Sequence, residues 1–177
     1  MIEQLRQLMT LHANMNASDI EERFEQIAKM LFESFAIQKG ETMYLFKEIE
    51  FYFYNKNHRD IITYPRSSKP LCWYNNRFGG IDLNFESNIE CRESKKYDLD
   101  DTAYFGGILI RQLVCVNEVG NVKVLCGPLK CAELFKHNDT TSSSNEPHLV
   151  KYDNGIVGYI RRPRINILQP KQMVKDK

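Results

Sequence analysis

The stretch Glu48-Ile49-Glu50-Phe51-Tyr52-Phe53-Tyr54 alternates acids and phenols with purely apolar residues from end to end. Side chains two apart on an extended strand point the same way, so this segment predicts a strand with two unlike faces. One face is expected to carry Glu48, Glu50, Tyr52 and Tyr54, and the other to bury Ile49, Phe51 and Phe53. A carboxylate bordered by aromatic rings suits the activation of water beside a flat, electron-poor ligand. The same alternation also describes an ordinary half-buried strand whose acids meet solvent, so neighbouring segments must decide.

Before this strand, Ile2, Leu5, Leu8, Met9 and His12 recur at helical spacing and predict a first helix over residues 2–14. Ser18 followed by Glu21 has the form of a capping box, and Ile20, Phe24, Ile27, Leu31 and Phe35 then form an apolar stripe. Gly40 is expected to end this helical region, with strand sequence starting near Thr42. After it, the alternating segment 80–86 places Ile81, Leu83 and Phe85 on one face and Asp82, Asn84 and Glu86 on the other. Residues 106–116, GGILIRQLVCV, read as a mostly buried strand whose one full charge, Arg111, must be paired or face a cleft. Residues 122–126 suit a short strand, Gly127 and Pro128 open a helix over 128–135, and short strands are expected near 149–152, 155–160 and 164–168. The order predicts one α+β domain spanning residues 1–177: N-terminal helices (1–36) packed on a curved, mostly antiparallel sheet (42–168) with one inserted helix, and a tail at 169–177.

At 177 residues the chain has room for one well-cored domain, and its 42% hydrophobic and 27% charged content is that of a globular protein. The first residues lack a signal-like apolar stretch and no apolar run approaches a membrane span, so a cytoplasmic location without membrane contact is expected. Five cysteines without CxxC spacing predict free thiols, and the four histidines form no ligand motif, so neither a metal nor another cofactor is expected. Net charge is only +1, yet residues 1–60 hold seven Lys or Arg against ten acids, and residues 61–177 hold seventeen against thirteen. The positive excess concentrates near Arg161, Arg162, Arg164, Lys171 and Lys175, which suits either a polyanion contact or a solvated tail.

Glu50, Tyr52 and Asn84 on strands, His58, Trp73 and Tyr74 in the flanking segments, and Arg111 on a third strand together supply the parts of a base-binding hydrolytic pocket. An enzyme that removes a base from DNA must flip the nucleotide out, clamp the base on aromatic surfaces and direct water at the sugar carbon. A carboxylate performs the last task and stabilises oxocarbenium-like charge.

In this order the segments resemble the 3-methyladenine (alkyladenine) DNA glycosylase family. FEQIAKMLFESF resembles its early helix, and KEIEFY its strand in which a Glu two residues before a Tyr is the base. His58, FGGIDLNF, GGILIRQL, GPLKCAELF and RRPRINI are similar to its later segments, and the likeness covers roughly residues 22–168. The resemblance implies a monofunctional hydrolase, acting as a monomer on double-stranded DNA with damaged purines and needing no cofactor. It makes Glu50 the base, Tyr52 and His58 opposite walls of the base pocket, Asn84 its border, and Trp73 or Tyr74 the second stacking ring. It assigns Arg111 to the DNA backbone and leaves Arg77 or Phe78 as the wedge that enters the duplex, while Arg161, Arg162 and Arg164 are expected to add DNA contacts through their charge. Two departures stand out: the stretch from Tyr52 to His58 is shorter than in the family, and the near-neutral charge weakens phosphate binding. Alternatives are a non-catalytic nucleic-acid-binding protein that keeps the fold, and a sugar hydrolase using Glu48 with Glu50, about 6.5 Å apart along one strand.

Overall fold

The computed structural model describes residues 1–60, 62–66, 69–76, 78–89, 99–116, 122–136, 146–153, 155 and 158–162. Its centre is β2, Thr42–Asn55, paired antiparallel with β6, Phe105–Val116, from Tyr54 opposite Phe105 to Met43 opposite Val116. Around this pair run β1 (Phe35–Lys39), β3 (His58–Arg59), β4 (Trp73–Asn75), β5 (Ile81–Asn84), β7 (Val122–Cys126) and β8 (His148–Lys151). They form an eight-stranded curled sheet ordered β4-β5-β6-β2-β1-β8, with β3 added to β2 and β7 to β6, and every pairing antiparallel. The α+β class and the antiparallel sheet are as the residue pattern predicts.

Boundaries differ in instructive ways. The first helix, α1, covers only Ile2–Leu8, and Asn55 from β2 then fixes the chain beyond it by donating to the carbonyls of His12 (3.2 Å) and Met15 (2.9 Å). α2 spans Ala17–Ser34, and its cap is Asn16, whose Oδ1 accepts from Asp19 N at 2.9 Å, rather than Ser18. Asn caps as well as Ser, and two residues earlier it captures the first turn. The stripe Ile20, Ile27 and Leu31 is fully buried as the spacing predicts, but Phe35 is already extended (φ −132°, ψ 150°). Phe35 begins β1, which turns at Gly40 (φ 58°) into β2, so that glycine closes a hairpin instead of ending a helix. The third helix, α3, runs Pro128–Glu133 with the proline in its first turn. The strand expected near 155–160 is not formed at 155 or at 158–160, and Gly155 and Gly158 take positive φ (60° and 93°); the segment 164–168 lies outside the described residues. Among the described residues no helix is long and apolar enough to cross a membrane.

β2 and β6 slip register twice, between Phe46 and Glu48 and between Glu48 and Ile49, which leaves Lys47 on one strand and Arg111 on the other without an opposite residue. The two bulges cancel, and each re-aims the side chains beside it. Lower down, Gly106 faces Phe53 so closely that an added Cβ would lie 2.9 Å from Phe53 Cα and press on the Tyr52 carbonyl. Gly106→Ala is therefore expected to cost about 3 kcal/mol, read as a lower midpoint in urea unfolding; an unchanged midpoint would show that the strands have room to part.

Among the described cysteines, Cys126 is exposed, Cys72 is half-buried, and Cys115 and Cys131 are buried. Burial pushes the Cys131 thiol up to about 11. A folded thiol that keeps its proton to about pH 11, against the ordinary 9, stabilises the fold fully below pH 9 and loses that contribution as pH rises through 11. At pH 8 a thiol reagent is expected to modify Cys126 first and Cys131 only on unfolding, as read by mass spectrometry of labelled peptides.

Candidate functional site

Strand register builds one polar face across β4, β5, β6 and β2. Tyr74, Asp82, Leu109 and Glu50 stand opposite one another in one row, and Asn84, Gly107 and Tyr52 in the next. Residues paired across antiparallel strands share a face, so these side chains lie on the side of the sheet that β2's even positions point to. Glu50 is buried at 6% exposure. Its Oε2 accepts from the Tyr52 hydroxyl at 2.7 Å and lies 3.6 Å from Arg111 Nη1. The burial requirement on Arg111 is met by this ion pair, and the bulge that leaves Arg111 without an opposite residue lies beside it.

The centre of the face is held by residues to which the sequence reading gave no role. Arg66, buried at 3% exposure, donates from Nε to Asp82 Oδ2 at 2.7 Å and from Nη1 to Thr63 Oγ1 (2.9 Å) and the Tyr64 carbonyl (3.1 Å). Its guanidinium lies over the Tyr64 ring at 4.6 Å and the Tyr52 ring at 6.0 Å. Asn76 donates to the other Asp82 oxygen at 3.1 Å. Gly107 leaves Arg66 room, since a Cβ there would sit 3.3 Å from Arg66 Cδ, a tight contact. Asp82 was visible as one of the alternating polar positions on β5; Arg66, in an irregular Pro- and Ser-containing stretch, gave no periodic signal.

Asn84 is fully buried in the same row as Tyr52, and neither of its side-chain amide atoms has a partner among the described residues. Its backbone is satisfied, donating to Cys72 O and accepting from Leu71 N at 3.0 Å each. Arg111 Nε is likewise buried and unpartnered among the described residues. Buried polar groups are rarely left so, and those that are ask for an explanation.

Other expected site residues are dispersed. His58 stands opposite Asn55, which puts it on the face of Phe53 and Phe51, away from Tyr52. There its Nδ1 meets the Phe53 carbonyl at 2.9 Å and its ring meets the edge of Phe24 at 6.0 Å. The tight β2–β3 turn fixes this side, so Tyr52 and His58 do not form opposite walls. Trp73 pairs with Leu83 and packs on Phe135 at 4.6 Å, again on the other face from Tyr74. Glu48 and Glu50 line one cavity but differ in partner: Glu48 pairs with Arg162 at 3.5 Å, and Glu50 with Tyr52 and Arg111. Phe78 tips the β4–β5 turn at 72% exposure, as a wedge requires, with Asn76 Oδ1 accepting from the Phe78 and Gly80 amides at 3.0 Å each. Arg161 pairs with Glu25 (2.6 Å) and Glu21 (3.2 Å) of α2, so it and Arg162 strap the chain to α2 and β2. Arg77 and Arg164 lie outside the described residues.

That strap roofs a cavity of about 620 Å³ against α2 and β2, floored by Phe24, Phe46, Ile49 and Phe51 and bordered by both Glu50 and His58. Among the described residues no group of three or more His, Cys, Asp or Glu side chains is arranged to hold a metal ion. Comparison of the chain with known proteins gives no match to a family model, to a curated protein or to a solved structure.

Removing one partner of a buried ion pair leaves the other charge uncompensated. Arg66→Met is expected to cost about 3–5 kcal/mol in urea unfolding, with a substantial part regained in Arg66→Met/Asp82→Asn. Equal losses in the single and double variants would show that the pair is not coupled.

Proposed function

We propose that the protein hydrolyses the N-glycosidic bond of alkylated or deaminated purines in DNA, with Glu50 activating the water. The single observation that carries this reading is the Glu50 carboxylate, oriented by the Tyr52 hydroxyl at 2.7 Å and by Arg111 at 3.6 Å in the row next to Asn84. Glu50 takes a proton from water as the oxygen bonds to the sugar carbon and the carbon–nitrogen bond to the purine breaks, and its charge stabilises the oxocarbenium-like sugar. The purine leaves with the bonding electrons: a cationic alkylated purine departs neutral, and a neutral deaminated purine takes up a proton from solvent water as it departs. Tyr52 supplies a ring beside that carbon, and Asn84 supplies an amide able to read the base edge. Arg111 then positions the base rather than meeting DNA. On this reading Phe78, exposed on its turn, enters the stack.

A second reading, a non-catalytic nucleic-acid binder, is favoured by one observation: Glu50 is only 6% exposed and already engaged. One assay separates the two. Duplexes carrying hypoxanthine or an alkylated adenine are incubated with protein and then cleaved by alkali at abasic sites. Wild type is expected to yield strand breaks, Glu50→Gln to slow them by about 100- to 10,000-fold, and Glu48→Gln to leave them near wild type. No breaks from folded wild type on any lesion would sink the catalytic reading, and salt-dependent binding without breaks would assign the binder.

A further inference from the structure

The cavity under the strap has no part in the chemistry proposed above, although Glu50 borders it, and its volume of about 620 Å³ suits a small molecule. Its floor is apolar, with the Phe24 and Phe51 rings stacked at 4.5 Å. Its polar lining is unbalanced: among the described residues five carboxylates face it against three Lys or Arg side chains. Setting Glu50 against Arg111, which lies outside the lining, leaves four against three. Glu48 is the acid with room for a further partner, since its side chain is 22% exposed and Arg162 stands off at 3.5 Å. His58 adds an acceptor. The Phe53 carbonyl can only accept, so Nδ1 carries the proton of the neutral ring and Nε2 keeps its lone pair. We propose that this cavity binds a small organic ammonium ion with an aromatic body, its ring seated on the phenylalanine floor and its cation paired with Glu48.

Shape and charge select that class together. An aromatic floor rewards a flat apolar body, and phenylalanine faces attract a cation. An anion of the same shape would meet the excess of carboxylates, and a neutral one would leave Glu48 with its long pair alone. Carboxylates and the His58 Nε2 lone pair only accept, whereas an ammonium group brings up to three N–H donors. Entry leaves the core intact. The strap is held by Arg161 to Glu21 and Glu25 and by Arg162 to Glu48, and ion pairs this exposed contribute little and weaken with salt. Tyr159, tilted on Phe32 at 5.7 Å, then closes over the bound ring. This site lies beyond the glycosylase reading and stands whether or not the protein cleaves DNA.

The test is calorimetric titration of the wild-type full chain at low salt and neutral pH with three probes of one shape: 4-phenylbutylamine, a cation, 4-phenylbutanol, neutral, and 4-phenylbutyrate, an anion. The amine is expected to bind saturably, the alcohol about tenfold or more weakly, and the carboxylate not at all. The site is read by ¹⁵N NMR of the His58 ring, whose resonances are expected to move with the midpoint of the calorimetric curve. Glu48→Gln is expected to weaken the amine about tenfold and to leave the alcohol unchanged. No binding of millimolar amine, equal binding of amine and alcohol, or binding that leaves the His58 ring unmoved overturns the proposal, as does an amine affinity that Glu48→Gln does not change. The wild-type titrations decide by themselves if the variant does not fold. None of these outcomes bears on the abasic-site assay, so the two proposals fail separately.

Discussion

Everything at the candidate site hangs on the ladder between β2 and β6. It sets Glu50 against Leu109 and Tyr52 against Gly107, and β5 then adds Asp82 and Asn84 to the same rows. Its closest contacts fall at two glycines, 106 and 107. At Gly106 the facing strand backbone comes too near for a Cβ, and at Gly107 the space above the sheet is taken by Arg66. Two residues without side chains thus admit, respectively, a neighbouring backbone and a buried cation.

The polar face is an electrostatically balanced layer. Two carboxylates, Glu50 and Asp82, meet two guanidiniums, Arg111 and Arg66, with tyrosines and asparagines between. Burying such charges costs more than their attraction returns unless hydrogen bonds satisfy the remaining atoms. Asp82 receives Arg66 on one oxygen and Asn76 on the other. Because Asn76 also holds the turn bearing Phe78, the exposed hairpin tip and the buried layer share one asparagine.

Much of this was legible in the sequence, and its limits have physical causes. The strand at 48–54 and the helix α2 are where their periods place them, with Phe53, Ile20, Ile27 and Leu31 buried, but Ile49 and Phe51 are only half-buried, Glu50 is buried on the polar face, and Phe35 has left the helix. Glu50 with Tyr52, and Arg111 needing a partner, were readable in the same way. His58 and Trp73 were not, since their faces depend on the register of short strands joined by tight turns. The difference in partner between Glu48 and Glu50 arises beside bulges, which have no composition signal of their own. Arg66 reaches its place from an irregular segment, where spacing carries no information about depth.

The two neighbouring acids of β2 also differ in when they can be satisfied. The chain leaves the ribosome N-terminus first, so the β6 segment that carries Glu50's partner, Arg111, is made well before Arg162, the partner of Glu48. The sheet and its buried layer are complete in composition while Glu21, Glu25 and Glu48 still await the arginines that later cover them. The strap at residues 158–162 thus covers what would otherwise be an acidic surface over an aromatic floor.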